Sequence, residues 1–187
     1  MSQKRIKSRK VSKLIAIHEA AHAVTAYLFG PSGNLGDMTI NPYSGRVKQN
    51  TGRDSGLCGR HRAALIHWFG PMAEAGFYEH GQIQKVVNAN GLSGEGDVNF
   101  VVDLMNFPMD ARQSSYFKKL LELTDPILSQ LEPYILKLSN SLIKNGPREY
   151  TSSEANILVQ QALEGSDLVA GSMCNCCKSG EIDYERR

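Results

Sequence analysis

Apolar residues recur at helical spacing along five stretches of this chain and rarely alternate as a half-buried strand requires. The first stretch runs from Ser12 to Phe29, where Leu14, Ile17, Ala21, Val24 and Leu28 share a face, and Gly30-Pro31 stops it. A glycine-rich segment follows. Its strand-like pieces, Met38–Asn41 and Arg46–Gln49, are separated by Pro42-Tyr43-Ser44-Gly45 and predict a small hairpin or an edge strand. A second helix is expected from Arg60 to Glu79, bent or interrupted at Gly70-Pro71. After a loop ending in Ser93-Gly94-Glu95-Gly96, a third helix opens near Asp97 and runs to about Phe107. The region 111–144 divides at Asp125-Pro126, where aspartate can cap and proline can start a new helix. Within it Ile127, Leu131, Ile135, Leu138 and Leu142 line one face despite Pro133. The last helix begins at Thr151-Ser152-Ser153-Glu154, which has the spacing of a capping box. The predicted fold class is mostly α, a single compact helical domain over residues 12–167 with a small β-hairpin or edge strand beside the first helix. A basic flexible tail at 1–11 and a cysteine-containing flexible tail at 168–187 flank it.

Composition narrows the setting. The chain has 187 residues, 41% hydrophobic and 21% charged, enough to bury one core. Its net charge of +2 calls for no acidic partner. Lys4, Arg5, Lys7, Arg9, Lys10 and Lys13 crowd the start, but no aromatic residue interleaves them for base stacking, so a solvated tail and no nucleic-acid partner are expected. No apolar run is long enough to span a bilayer, and Leu14–Leu28 is broken by His18, Glu19 and His22, which suits neither a signal peptide nor an anchor. Cys58 stands alone. Cys174, Cys176 and Cys177 lack the paired spacing of a structural zinc site, so a reducing cytoplasmic location is expected.

The chemistry is concentrated in His18-Glu19-Ala20-Ala21-His22. Residues four apart on a helix lie on one face, so His18 and His22 can offer two imidazole nitrogens to one zinc ion. Glu19 is near enough to reach a water on that ion and take its proton as general base. Ala20, Ala21 and Ala23 are small and let another element approach the metal face. A catalytic zinc needs a third protein ligand and an open fourth position. Spacing alone leaves His67, His80, Glu74 and Asp97 open for that role.

A family resemblance chooses among them. Residues 15–30, Ile-Ala-Ile-His-Glu-Ala-Ala-His-Ala-Val-Thr-Ala-Tyr-Leu-Phe-Gly, resemble the start of the peptidase domain of FtsH-type, ATP-dependent membrane proteases. Met38-Thr39-Ile40-Asn41-Pro42 resembles that family's short active-site strand, and Phe69-Gly70-Pro71-Met72-Ala73-Glu74 its Gly-Gly-Arg-Ala-Ala-Glu helix. Ser93-Gly94-Glu95-Gly96-Asp97 resembles the segment ending in its third zinc ligand, and Tyr150–Leu163 its closing helix. The likeness spans roughly 15–164, with only the first motif individually specific. It implies metal ligands His18, His22 and Asp97, one Zn2+ per chain, and Glu19 as the catalytic base. It also implies that Glu74 orients a ligand histidine and that Met38, Thr39, Ile40 and Asn41 hold substrate by main-chain pairing. For Asp97 the competing role is an N-cap of its own helix.

The departures are Ala20-Ala21 in the motif's middle, Pro71-Met72 for Gly-Arg, and the lack of any Gly-x-x-x-x-Gly-Lys-Ser/Thr phosphate loop. The expectation is therefore a zinc metalloendopeptidase whose activity as an isolated chain is independent of ATP. Its substrates would be short peptides or unfolded protein, and a separate ATPase or adaptor is the partner that a missing motor implies. Two rivals stand beside it: a catalytically inactive, zinc-stabilised binding or regulatory module, and a zinc hydrolase acting on a non-peptide amide. The oligomeric state is not fixed by the sequence.

Overall fold

The alanine-rich run after Ser12 forms helix α1 (Lys13–Phe29) in a computed structural model of the chain, which describes residues 10–30, 35–49, 57–78, 95–104 and 115–170. Every residue of α1 from Ala16 to Phe29 is buried. The helix is thus wrapped on all sides rather than amphipathic. Ala16, Ala20, Ala21 and Ala23 are fully buried, and these small residues admit neighbouring helices closely. Gly30 closes α1 with its N–H on the Ala26 carbonyl.

Strands β1 (Leu35–Ile40) and β2 (Gly45–Gln49) follow, then helices α2 (Leu57–Tyr78), α3 (Glu95–Leu104) and α4 (Ser115–Asn145), strand β3 (Arg148–Tyr150) and helix α5 (Ser152–Leu163). Helices α2, α4 and α5 and the β1–β2 hairpin all pack on α1, and α3 packs on α2. The expected mostly helical domain forms, and the expected hairpin or edge strand is realised as a small three-stranded antiparallel sheet.

Three local expectations are corrected. The prolines do not divide their helices. Helix α4 runs unbroken through Pro126 and Pro133, although each removes an N–H and crowds the carbonyl four residues earlier. Both prolines are exposed, as are Glu122 and Ser129, whose carbonyls lose their partners, so water can satisfy them. The buried stripe Leu128, Leu131, Ile135, Leu138 and Leu142 continues past both positions and holds the helix on the core. Helix α2 likewise passes through Pro71, with Trp68, Phe69, Met72 and Ala73 fully buried on either side of it.

The second correction concerns the sheet. Its order is β2-β1-β3, so β1 is central. Met38, Thr39 and Ile40 face Val47, Arg46 and Gly45 on one side and Tyr150, Glu149 and Arg148 on the other. Both backbone edges of Met38–Ile40 are therefore taken, and Asn41 has left the strand to turn, its N–H on the Ser44 carbonyl. Met38, Thr39 and Ile40 thus present no free backbone edge to which an extended chain could add. Among the described residues the outer edges belong to β2 and β3, and of the two only β2 lines the cleft beside His18 and His22. Strand β3 was not predicted: it has three residues, two of them charged and exposed, and no alternation to reveal it.

Third, α3 begins at Glu95, so Asp97 lies inside its first turn and is not its N-cap. The capping box of α5 forms as its spacing predicts, with Thr151 accepting from the Glu154 N–H and Glu154 from the Thr151 N–H. His80, the basic cluster Lys4–Arg9 and Cys174, Cys176 and Cys177 lie outside the described residues.

Candidate metal centre

Helical spacing on α1 places His18 and His22 on one face, and the burial of that face brings α2 and α3 over them. Their imidazoles stand edge to face, ring centroids 4.6 Å apart. Each ring has its outer nitrogen committed. His18 Nδ1 donates to Glu74 Oε2 at 3.0 Å, and His22 Nδ1 donates to the Ile66 carbonyl at 2.8 Å, both partners on α2. A ring that donates from Nδ1 presents a lone pair at Nε2 when neutral.

The two Nε2 atoms lie 3.0 Å apart, and Asp97 Oδ2 from α3 lies 3.0 Å from the first and 3.4 Å from the second. Three electron-rich atoms at this spacing repel unless a positive charge is shared among them. A proton can do this in the metal-free protein. Burial alone would push His18 down, yet the hydrogen-bonded carboxylates of Asp97 and Glu74, with the charges of Glu19 and Asp97, outweigh it and hold His18 up at about 9. Burial would raise Asp97, and hydrogen bonds from His18, His22 and His67 overcome that and keep its carboxyl far below the ordinary range.

A zinc ion also fits. Tetrahedral zinc with ligand bonds of about 2.0–2.1 Å separates its donors by about 3.3 Å, within a few tenths of an ångström of this triangle. His18, His22 and Asp97 form the one such metal-capable group among the described residues. The expected ligand residues and Glu74 are thus brought together. Gly70 of α2 makes the approach possible: a Cβ there would stand 2.4 Å from His22 Nε2 and 2.9 Å from His18 Nε2.

Glu19 sits beside the triad and is 5% exposed. Its Oε2 is buried with no hydrogen-bond partner among the described residues, a state that costs roughly 1–3 kcal/mol unless a ligand or water meets it. Burial raises its carboxyl above the usual range, and the charges of His22 and His18 oppose that rise. Gly45, at the start of β2, crosses so closely that a Cβ would lie 2.3 Å from Glu19 Cγ. The triad and Glu19 line a cleft of about 780 Å³, walled by Tyr43–Lys48 on one side and by His67 and Phe100 on the other.

His67 is the residue whose place the spacing did not fix. It is not one of the three converging donors, and its ring stands edge-on to His22 with centroids 5.8 Å apart. Its Nδ1 donates to Asp97 Oδ1 at 2.6 Å. The signal was present on α2, where His67, Gly70 and Glu74 recur at i, i+3 and i+7 and so share one face. Nothing in the sequence could have supplied the Ile66 carbonyl, because a main-chain acceptor carries no residue signature. No family model matches the chain, and no curated protein matches it.

Proposed function

We propose that the chain is a zinc metallopeptidase that hydrolyses peptide bonds in short or unfolded polypeptides. The supporting observation is the meeting of two imidazole Nε2 atoms and one carboxylate oxygen at 3.0–3.4 Å, beside Glu19, whose buried Oε2 has no hydrogen-bond partner among the described residues. His18, His22 and Asp97 would hold the ion, while Glu74 and the Ile66 carbonyl fix the two rings. Zinc bound there supplies a polarised carbonyl and a water of lowered pKa. Glu19 takes the proton of the attacking water and returns it to the leaving amine nitrogen.

The free edge of β2 suits an extended substrate, which would pair with its backbone as an added strand. Such a chain would run past Gly45, where the missing side chain leaves room for Glu19 against the backbone of β2. The open cleft admits extended chain, and the sequence has no phosphate loop to drive unfolding. A stably folded substrate exposes too little chain, since global opening costs about 5–15 kcal/mol.

The test is digestion of casein by zinc-loaded protein, with Glu19→Gln as control. The wild type should cleave at a rate unaffected by ATP. Glu19→Gln should retain zinc and lose about 10²–10⁴-fold in rate. A zinc-loaded wild type that cleaves no peptide would favour the non-catalytic module, and undiminished activity of Glu19→Gln would remove Glu19 from the reaction.

A further inference from the structure

We infer that His67 is a positioning residue that holds Asp97 by one oxygen so that the other alone faces the metal. The inference rests on the zinc reading above. Asp97 divides its carboxylate: Oδ2 lies 3.0 Å from His18 Nε2 and 3.4 Å from His22 Nε2, while Oδ1 accepts from His67 Nδ1 at 2.6 Å. The last contact is the shortest that Asp97 makes, and charge-assisted bonds of this kind are about twice as strong as neutral ones.

The need for a clamp follows from where Asp97 sits. It projects from α3, a helix of ten residues that packs on α2 and buries Val98 and Val101. Its side chain retains 20% exposure, so water competes for both oxygens. An unrestrained carboxylate there can turn either oxygen, or both, toward a cation. His67 removes that freedom. With Oδ1 occupied, Asp97 contributes a single ligand atom, and a tetrahedral ion with two imidazoles keeps its fourth position open.

His67 is itself fixed. Its ring lies against Phe100, one turn beyond Asp97 on α3, with centroids 4.1 Å apart and planes tilted by 39°. One residue of α2 thus grips α3 twice, by a hydrogen bond and by ring packing. The two grips make separable claims. If only packing matters, any aromatic ring at 67 serves. If the N–H matters, a donor without a ring serves.

The experiment measures zinc affinity of the full chain by competition with a chromophoric chelator, with no activity readout needed. His67→Phe keeps a ring on Phe100 and loses the donor; its zinc Kd should rise about 10–100-fold, as for other outer-shell partners. His67→Asn places an amide N–H near the position of Nδ1 and should bind zinc close to wild type. In an Asp97→Ala background, His67→Phe should add no further loss, because its effect passes through that carboxylate. Should His67→Phe fail to fold, His67→Leu against His67→Asn carries the same comparison. Unchanged zinc affinity in the donor-less variant, or an equal loss in the Asp97→Ala background, overturns the inference alone. Absence of zinc binding by the wild type overturns it together with the zinc reading.

Discussion

Adding one methyl group at Gly70 should abolish tight zinc binding. In the interior of α2, Gly→Ala would ordinarily stabilise the helix by roughly 0.5–1 kcal/mol. Here the new Cβ would stand 2.4 Å from His22 Nε2 and 2.9 Å from His18 Nε2. Carbon and nitrogen without a bond prefer separations near 3.5 Å, so the His22 ring must retreat by about 1 Å. Overpacking of this kind costs roughly 1–3 kcal/mol, so the metal-free Gly70→Ala protein should lose up to about 2 kcal/mol net. That is a fall of no more than about 8 °C in melting temperature for a domain of this size. The metal suffers more, because zinc tolerates ligand distances only within about 0.2 Å, and an affinity loss of about a hundredfold or greater is expected. Gly76→Ala, on the same helix, is the control: its Cβ would meet only Leu128 Cδ2 at an ordinary 3.6 Å. That variant should keep zinc and match or exceed wild-type stability. The assay is thermal melting in chelator and in excess zinc, with zinc affinity by competition. A Gly70→Ala protein with wild-type affinity, or a Gly76→Ala protein that loses zinc equally, would refute the reasoning.

Asp97→Ala should release zinc under dialysis that leaves the wild type loaded, and zinc content by atomic absorption decides it. Glu74→Ala should weaken zinc binding about 10–100-fold while leaving Glu19 and the three ligands in place, read by chelator competition. The pH dependence has a defined sign. His18 is raised from 6.5 to about 9 in the metal-free fold, so its protonation contributes stability that is fully present below pH 6.5 and is lost as pH rises through about 9. Melting in chelator between pH 6 and 9.5 should show that loss, and His18→Ala should flatten it.

The helices and the pairing of His18 with His22 were legible because both rest on local spacing. His18 and His22 follow from four-residue separation on one helix, and the capping box at Thr151 and Glu154 from a three-residue one. The errors arise where distant chain intervenes. Pro126 reads as a break, yet the buried stripe from Leu128 to Leu142 and an exposed outer face overrule it. The Met38–Asn41 piece reads as part of a small hairpin or as an edge strand; the hairpin forms, but nothing nearby announces that Arg148–Tyr150 returns to cover the second side of Met38–Ile40. For the same reason residue spacing could not choose Asp97 over His67, since both converge on the site and only the fold reveals which one meets the two Nε2 atoms.

The late arrival of β3 has a bearing on synthesis. Strand β1 is locked by residues far downstream: Ser152 donates its hydroxyl to the Leu35 carbonyl across 117 positions, and Asn156 reaches the same carbonyl across 121. Closing loops of that span is slow and cannot begin until the distal residues leave the ribosome. The hairpin that carries Gly45 over Glu19 therefore lacks its second neighbour through most of translation. Both histidines emerge long before the groove that would present a peptide to them is secured. A nascent chain therefore carries His18, Glu19 and His22 before the sheet beside them is locked, and the cleft is completed only when almost the whole domain has been built.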